Sequence, residues 1–250
     1  MILGTYEHLR SSGFLHLPHK STLQQYSNFT ESTTGFNPDV IKFFFDEIKI
    51  DKLTENEKNI ALLFDEMHIK SGLVFSRSSG KLVGFTDMGD INNELDEFNR
   101  NIDGCREPEL ATHILTFMAR GLHKRFNFPI GYFSSKGFDS DQLFPVVWQA
   151  VEVMEMNGMK VRAFVCDGAS PNRRFYRLHK LPDDLNVAVD GVVYWAWNLY
   201  AADDRKIYFI CDVPHLIKTV RNNFENSHGN LNTRHLLVSF TFYISPENIF

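Results

Sequence analysis

The chain has 250 residues, of which 43% are hydrophobic and 14% aromatic, so it can bury a substantial core and is not a disordered polypeptide. Its formal net charge of −5 excludes a protein that binds nucleic acid through a strongly basic overall surface, and any such contact must be local. The N-terminus lacks a charged segment followed by an apolar one, and no 18 apolar residues run together. We therefore expect neither a signal peptide nor a transmembrane segment, and no membrane partner.

Cysteine usage narrows the class of protein further. Cys105, Cys166 and Cys211 lie far apart and form no Cys-x-x-Cys pair. This spacing argues against both a disulfide framework and a structural zinc site.

The first fifth of the chain has the composition of a lead-in. Residues 1–35 are rich in Ser, Thr and His, which is typical of loop. A helix is predicted from Pro38, because apolar residues recur at helical spacing up to Ile48. We therefore interpret residues 1–52 as a loop and a helix that packs on the core that follows.

An apolar run at residues 60–69 is interrupted by a single carboxylate, Asp65. Burying an unpaired ion in such a strand costs several kcal/mol, so this acid requires a cation nearby. The alternative is that Asp65 caps a turn, as Asp often does. Met67 and Ile69 continue the run, which favours a position inside the strand.

The next hundred residues alternate short strand patterns with polar stretches. Residues 72–76 and 82–85 flank a Gly- and Ser-containing turn at 77–81 and predict a hairpin. The acid- and Asn-rich stretch 87–103 is interpreted as a solvated loop or a short helix. The dense apolar run at 113–121 favours a strand, although Leu115, Met118 and Leu122 also suit a helix. Another strand is predicted at 128–133, on a sheet edge because Pro129 cannot donate a hydrogen bond.

A second strand-borne aspartate follows the clearest helix of the chain. The apolar stripe of residues 139–157 predicts a helix that ends at Asn157-Gly158. The strand after it ends in Asp167, before the turn residues Gly-Ala-Ser-Pro. Asp167 is equally compatible with capping this turn, but two aspartates on strands constitute a metal-site hypothesis.

Basic residues follow both of the last strand patterns. Arg173 and Arg174, on a predicted helix at 171–179, could contact phosphate, although a solvated face explains them as well. Residues 180–206 are interpreted as loop, anchored by Trp195, Trp197 and Tyr200. A strand at 207–212 then leads into a helix at 215–224, whose Lys218 and Arg221 lie on a different face from its apolar residues.

Six motifs together resemble those of the P-element-type DNA transposases, including their vertebrate THAP-domain relatives. They are FDEMHIK (64–70), LVGF (82–85), GDIN (89–92), LFPVVW (143–148), CDGASPNR (166–173) and DVPHLIKTVRN (212–222). The resemblance spans about residues 5–226. It implies an α/β fold, an incomplete ribonuclease-H-like mixed sheet flanked by helices. Residues 53–226 would be the N-terminal part of the catalytic core, followed by a divergent tail at 227–250.

The resemblance also implies a chemistry. Asp65 and Asp167 would be the first two carboxylates of a DDE site, which holds Mg²⁺ or Mn²⁺ for phosphodiester cleavage and strand transfer. We expect their carboxylates to face one another across a shallow pocket. Glu66 points to the opposite face of its strand and is not expected to share the ions.

Several parts of the family pattern have no counterpart in this sequence. We find no zinc-binding THAP domain and no coiled coil. The GTP-binding domain that follows the Asp212 motif in the family, and the catalytic glutamate after it, are also missing. The resemblance thus implies a fragment that is inactive alone. It also implies that the full-length family members act in the nucleus and use GTP.

Partners follow from the same resemblance. The resemblance implies weak binding of DNA and homo-oligomers with full-length relatives. The Asp212 motif should lie beside the pocket without supplying a metal ligand, with His215 holding a phosphate or an aspartate or, alternatively, buried as a structural histidine. A different class of function is a domesticated remnant that binds nucleic acid or protein without catalysis. The residues expected to contact DNA are Arg173, Arg174, His215, Lys218 and Arg221.

Overall fold

The computed structural model describes residues 10–12, 33–76, 80–103, 108–188 and 191–225. Most of the expected lead-in loop, the middle of the turn at 77–81 and the whole tail at 227–250 lie outside these residues. In the described part of the chain, no helix combines the length and the apolar character needed to cross a membrane.

The described residues form helices and strands in alternation. The helices are α1 (Pro38–Ile48), α2 (Asp90–Asp103), α3 (Ser140–Met156), α4 (Ser170–Leu178) and α5 (Val213–Glu225). The strands are β1 (Asn59–His68), β2 (Val74–Ser76), β3 (Lys81–Val83), β4 (His113–Gly121), β5 (Asn127–Ser135), β6 (Lys160–Cys166), β7 (Trp195–Trp197) and β8 (Lys206–Cys211). Short 3₁₀ turns lie at Ile50–Lys52 and Pro182–Asp184.

Six strands form one mixed sheet in the order β5-β4-β1-β6-β8-β7. β1 runs parallel to β6, and β6 parallel to β8, while the remaining neighbours are antiparallel. Helix α1 packs against β5 and α3 against β6. This arrangement confirms the predicted α/β class, a mixed sheet flanked by helices, and places β5 on the edge, as the proline in its sequence predicted.

The two faces of β1 have different environments. Ile60, Leu62 and Phe64 are at most 2% exposed and belong to the main core, which includes residues of α1 and α3. Leu63, Asp65 and Met67 alternate with them and lie on the opposite face. Asp65 is therefore inside the strand and outside the hydrophobic core, as the continuing apolar pattern predicted.

Local sequence fixes where the two core helices start. In α1, the Asn37 side chain accepts a hydrogen bond from the backbone N–H of Asp39, and Pro38 occupies the first turn. In α3, Asp139 and Gln142 form a reciprocal capping box. These caps set where α1 begins ahead of β1 and where α3 begins ahead of β6.

Four expectations were wrong or incomplete. The predicted hairpin exists as β2 and β3, but it forms a separate two-stranded sheet, so the first three strands of the main sheet are β1, β4 and β5. The stretch expected to be a loop or a short helix contains the 14-residue α2. The expected loop at 180–206 contains β7, which pairs with β8. Trp195 is a buried anchor, but Trp197 is 40% exposed.

Candidate functional site

Three parallel strands bring their carboxyl ends to the same edge of the sheet, and each ends near an aspartate. Leu63 of β1 pairs with Val165 of β6, and Cys166 pairs with Cys211 of β8. Asp65, Asp167 and Asp212 continue these three registers. Because neighbouring strands lie about 4.8 Å apart, the structure brings the two predicted carboxylates onto adjacent strands within reach of a shared ligand.

The aspartates line one open cleft on the face of the sheet that carries Leu63. Its lining includes Asp65, Asp167, Asp212 and His215, with Thr116 and Met118 of β4 on the far side. The hydroxyl of Thr116 donates to the backbone oxygen of Asp65 at 3.3 Å. The cleft is therefore walled by β4 and by the start of α5.

Asp167 is held by two hydrogen bonds. Its Oδ1 accepts from Nδ2 of Asn172 at 2.6 Å and from the backbone N–H of Ala169 at 3.0 Å. The alternative interpretation of Asp167 as a turn-forming residue is thus correct, but it is compatible with a ligand role. Both bonds among the described residues use Oδ1, so Oδ2 can bind a ligand.

Asp65 is the less compensated of the two carboxylates. Partial removal from water, together with the nearby Asp167 carboxylate, raises the pKa of Asp65 above its usual value. The nearby His215 opposes this shift. A bound cation would relieve the same unfavourable charge, so the electrostatics of the cleft favour a metal ion.

His215 belongs to the cleft and is not a buried structural residue. Its Nδ1 lies 2.6 Å from Oδ2 of Asp212, and its side chain is 48% exposed. The hydrogen bond with Asp212, aided by the charges of Asp65 and Asp167, raises the pKa of His215. The buried alternative is therefore wrong, and Asp212 orients the imidazole.

Glu66 lies on the opposite face from Asp65, as predicted. Its Oε1 accepts from the hydroxyl of Ser135 at 2.8 Å and from the backbone N–H of Phe138 at 3.0 Å. This carboxylate links β1 to β5 and to the chain entering α3. It therefore stabilises β1 on the face of the sheet opposite the cleft.

The predicted basic residues are only partly brought together. Arg173 lines a second cleft beside the first, with Asp167 and His215. Arg174 instead pairs with Asp141 at 3.2 Å. Arg221 pairs with Glu225 at 3.7 Å, and Lys218 is exposed on the same helix α5. Among the described residues, Arg173 and His215 are thus the two predicted DNA contacts that line the clefts.

The comparisons with known proteins agree with this architecture. Residues 32–180, more than half of the chain, match the family described as TNP-like, RNase H N-terminal domain. The chain belongs to this family. The resemblance to P-element-type transposases drawn from the motifs is confirmed.

Two curated proteins are similar to this chain over most of its length. The human DNA transposase THAP9 is 24% identical over 225 residues, which is 88% of this chain and 22% of THAP9. The Transposable element P transposase of Drosophila melanogaster is 25% identical over 232 residues, 92% of this chain and 25% of that protein. The chain thus spans about a quarter of the length of these relatives.

A solved structure has the same fold. The Drosophila P element transposase strand transfer complex aligns with a TM-score of 0.57 at 23% identity, covering 89% of this chain and 41% of that one. The ribonuclease-H-like fold class is therefore shown for this domain.

The two carboxylates of the cleft, Asp65 and Asp167, are donors that fit a hard divalent cation. Within the described residues, no group of three or more His, Cys, Asp or Glu side chains forms a ready metal site. Mg²⁺ usually retains several waters and binds through one or two carboxylates together with substrate phosphates. The pair Asp65 and Asp167 matches that mode better than the closed ligand sets of zinc.

Sequence reasoning missed the role of two residues at the cleft. Asn172 lies in the first turn of α4, five residues after Asp167, and an amide following a strand-end aspartate at that spacing was a usable signal. The motif that begins at Asp212 was predicted to lie beside the pocket, and Asp212 does line the cleft, but its hydrogen bond with His215 was not predicted. Both residues orient a neighbour: Asn172 acts on Asp167, and Asp212 on His215.

Proposed function

We propose that this domain binds Mg²⁺ or Mn²⁺ between Asp65 and Asp167 and contributes these carboxylates to phosphodiester cleavage and strand transfer by a DNA transposase. The proposal rests on the position of both aspartates in one cleft, Asp65 within β1 and Asp167 directly after the adjacent parallel strand β6. The names of the two transposase relatives support DNA as the substrate. Nuclear localisation is part of this proposal and follows from the action on DNA.

The metal would supply Lewis-acid chemistry. In two-metal phosphoryl transfer, bound divalent ions activate the attacking oxygen and stabilise the leaving one. Asp65 and Asp167 are the residues we assign to hold such ions in this chain.

The protein's own contribution is preorganisation. β1 is bonded to β4 at Asp65 itself, where Thr116 is the partner, and to β6 as far as Leu63, so the strand is held on both sides up to two residues before Asp65. Asn172 and the Ala169 N–H fix the rotamer of Asp167. Ligands held in this way lose little entropy when a metal binds, and their geometry is set before the substrate arrives.

His215 and Arg173 are the groups we assign to the phosphate of the DNA. With Nδ1 engaged by Asp212, the other ring nitrogen of His215 can donate to a phosphate oxygen. Arg173 adds a permanent positive charge at the rim. Lys218 and Arg221, further along α5, would contact the backbone more distantly, and the chain's net charge of −5 predicts weak, salt-sensitive binding.

The test is a Mn²⁺ titration of the purified chain, followed by the loss of the free-ion electron paramagnetic resonance signal. Asp65→Asn and Asp167→Asn should each weaken binding at least about tenfold, because each removes one ionic ligand. Asp46→Asn, an exposed carboxylate on α1, is the matched control and should bind as wild type does. Unchanged affinity in both site variants would refute the proposal.

A further inference from the structure

The turn between β4 and β5 concentrates positive charge on an otherwise acidic protein. Arg120, His123, Lys124 and Arg125 fall within six residues and line an open cavity of about 400 Å³, together with Asn127. No acidic side chain is among the described residues that line it. Against a net charge of −5, such a cavity attracts anions locally.

Backbone contacts hold this turn in one conformation. The N–H of Gly121 donates to the oxygen of Phe126 at 3.2 Å, and the N–H of Leu122 donates to the oxygen of Asn59 at 3.0 Å. A side chain at Gly121 would place its Cβ 2.0 Å from the oxygen of Lys124, so only glycine fits the turn. The cationic side chains therefore project from a fixed frame.

Lys124 contributes to the structure of the protein by linking this turn to α1. Its Nζ donates to the oxygen of Ile48 at 3.1 Å, at the end of α1. Arg120, His123 and Arg125 are the donors that we assign to a ligand.

The turn and the aspartate cleft share one face of the sheet. Arg120 pairs with Ala61 and Thr116 pairs with Asp65, and directly paired residues of antiparallel strands point to the same face. Ala61 and Asp65 lie four residues apart on β1, which corresponds to about 13 Å. One turn of duplex DNA, about 34 Å long, spans both places.

We infer that Arg120, His123 and Arg125 form a phosphate-binding site that holds the backbone of a nucleic acid outside the aspartate cleft. A guanidinium group can donate two parallel hydrogen bonds to phosphate oxygens, and the fixed turn removes the cost of ordering the backbone that carries these side chains. The site needs no metal, so it can be tested independently of the proposed metal centre.

The experiment measures fluorescence anisotropy of a labelled duplex over a series of salt concentrations. The variant is Arg120→Gln/Arg125→Gln, and the control is Lys42→Gln/Lys81→Gln, which removes the same charge from exposed positions elsewhere. We expect the arginine variant to bind about tenfold more weakly and to lower the slope of log K against log salt by about 2, since each phosphate contact contributes about 0.9. The control should keep the wild-type slope.

The outcomes separate this site from both its alternatives and the metal proposal. If both double variants bind DNA equally well, the turn is merely solvated and the inference is wrong. Tripolyphosphate replaces the duplex in a parallel titration: if the arginine variant loses this anion but keeps DNA, the site holds small phosphates and the nucleic-acid assignment fails. Both titrations contain EDTA and no divalent cation, so a loss of binding in the arginine variant does not depend on the proposed metal centre.

Discussion

At the scale of single residues, Asn172 is the clearest test of how the cleft is organised. Its amide holds Oδ1 of Asp167 at 2.6 Å. We expect Asn172→Ala to weaken Mn²⁺ binding about tenfold, because residues that hydrogen-bond to a metal ligand typically contribute about 10- to 100-fold to metal affinity. The measurement is the same spin-resonance titration, with Asn101→Ala on α2 as the control. Wild-type affinity in Asn172→Ala would show that Asp167 needs no orienting partner.

The sequence predicted the residues whose role shows in a local pattern. Asp65 interrupts an apolar run, so its place in a strand was evident, and Asp167 was recognised by the same means. The hydrogen bond from Asn172 to Asp167 depends on how the chain turns between β6 and α4. The spacing of apolar residues in strands and helices does not encode that turn. The exposure of His215 likewise depends on where α5 lies relative to β1.

At the scale of elements, a buried ion pair joins α3 to the segment before β8. Nη1 of Arg205 lies 3.0 Å from Oε1 of Glu155, and these side chains are 5% and 6% exposed. Glu155 also accepts from the Asn198 side chain and from the N–H of Val161. It therefore fixes α3, β6 and the chain around β7 to one another.

Arg205→Ala should destabilise the fold by about 3–5 kcal/mol, because it leaves the Glu155 carboxylate buried without its cation. Lys180→Ala breaks the exposed pair with Asp184 and should cost no more than about 1 kcal/mol. Urea unfolding of the two variants makes the comparison. Equal losses would mean that the Glu155 network is better solvated than its burial indicates.

The packing of α3 on α4 is expected to make stability depend on pH. His179 accepts from Nε1 of Trp148 at 2.9 Å through its Nε2, and its Nδ1 lies 2.8 Å from the oxygen of Phe175. This arrangement requires a neutral ring with the proton on Nδ1. Burial lowers the pKa of His179 below its usual value of about 6.5.

Because the unfolded chain binds the proton more readily, the contribution of His179 is complete above pH about 6.5 and is lost as the pH falls towards the lowered pKa. Thermal unfolding between pH 7 and pH 5 should therefore show a smaller loss of stability in His179→Gln than in wild type. His68→Gln, at an exposed position, should keep the wild-type pH dependence. Parallel pH profiles for wild type and His179→Gln would contradict this assignment.

Element prediction succeeded where periodicity was long and failed where pairing was decisive. α3 and β1 were recognised because their apolar patterns extend over ten residues or more. β7 has three residues and exists through its pairing with β8 and the stacking of Lys206 over Trp195. The separation of β2 and β3 from the main sheet is also a matter of long-range pairing, which alternation within each strand does not specify.

At the scale of the whole molecule, we expect no DNA cleavage by the chain alone. In the described residues, Asp65 and Asp167 form the proposed pair, and Asp212 is engaged by His215. In-line displacement needs both metal ions fixed, which two carboxylates do not achieve. Supercoiled plasmid incubated with the protein and Mn²⁺ at low salt should stay intact. Nicking that persists in the control Asp46→Ala and disappears in Asp65→Ala would show that Asp212 or another acid completes the site.

If Asp65 and Asp167 share one metal centre, iron bound there should direct cleavage of the polypeptide at both strands. Fe²⁺ takes the oxygen ligands that Mg²⁺ prefers, and with ascorbate and peroxide it generates hydroxyl radicals that cut the chain nearby. We expect two cuts, one near residue 65 and one near residue 167. Both should be suppressed by excess Mg²⁺, and both should be lost in Asp65→Asn as well as in Asp167→Asn. A cut at only one strand, or a pair of cuts that survives either substitution, would contradict a shared centre.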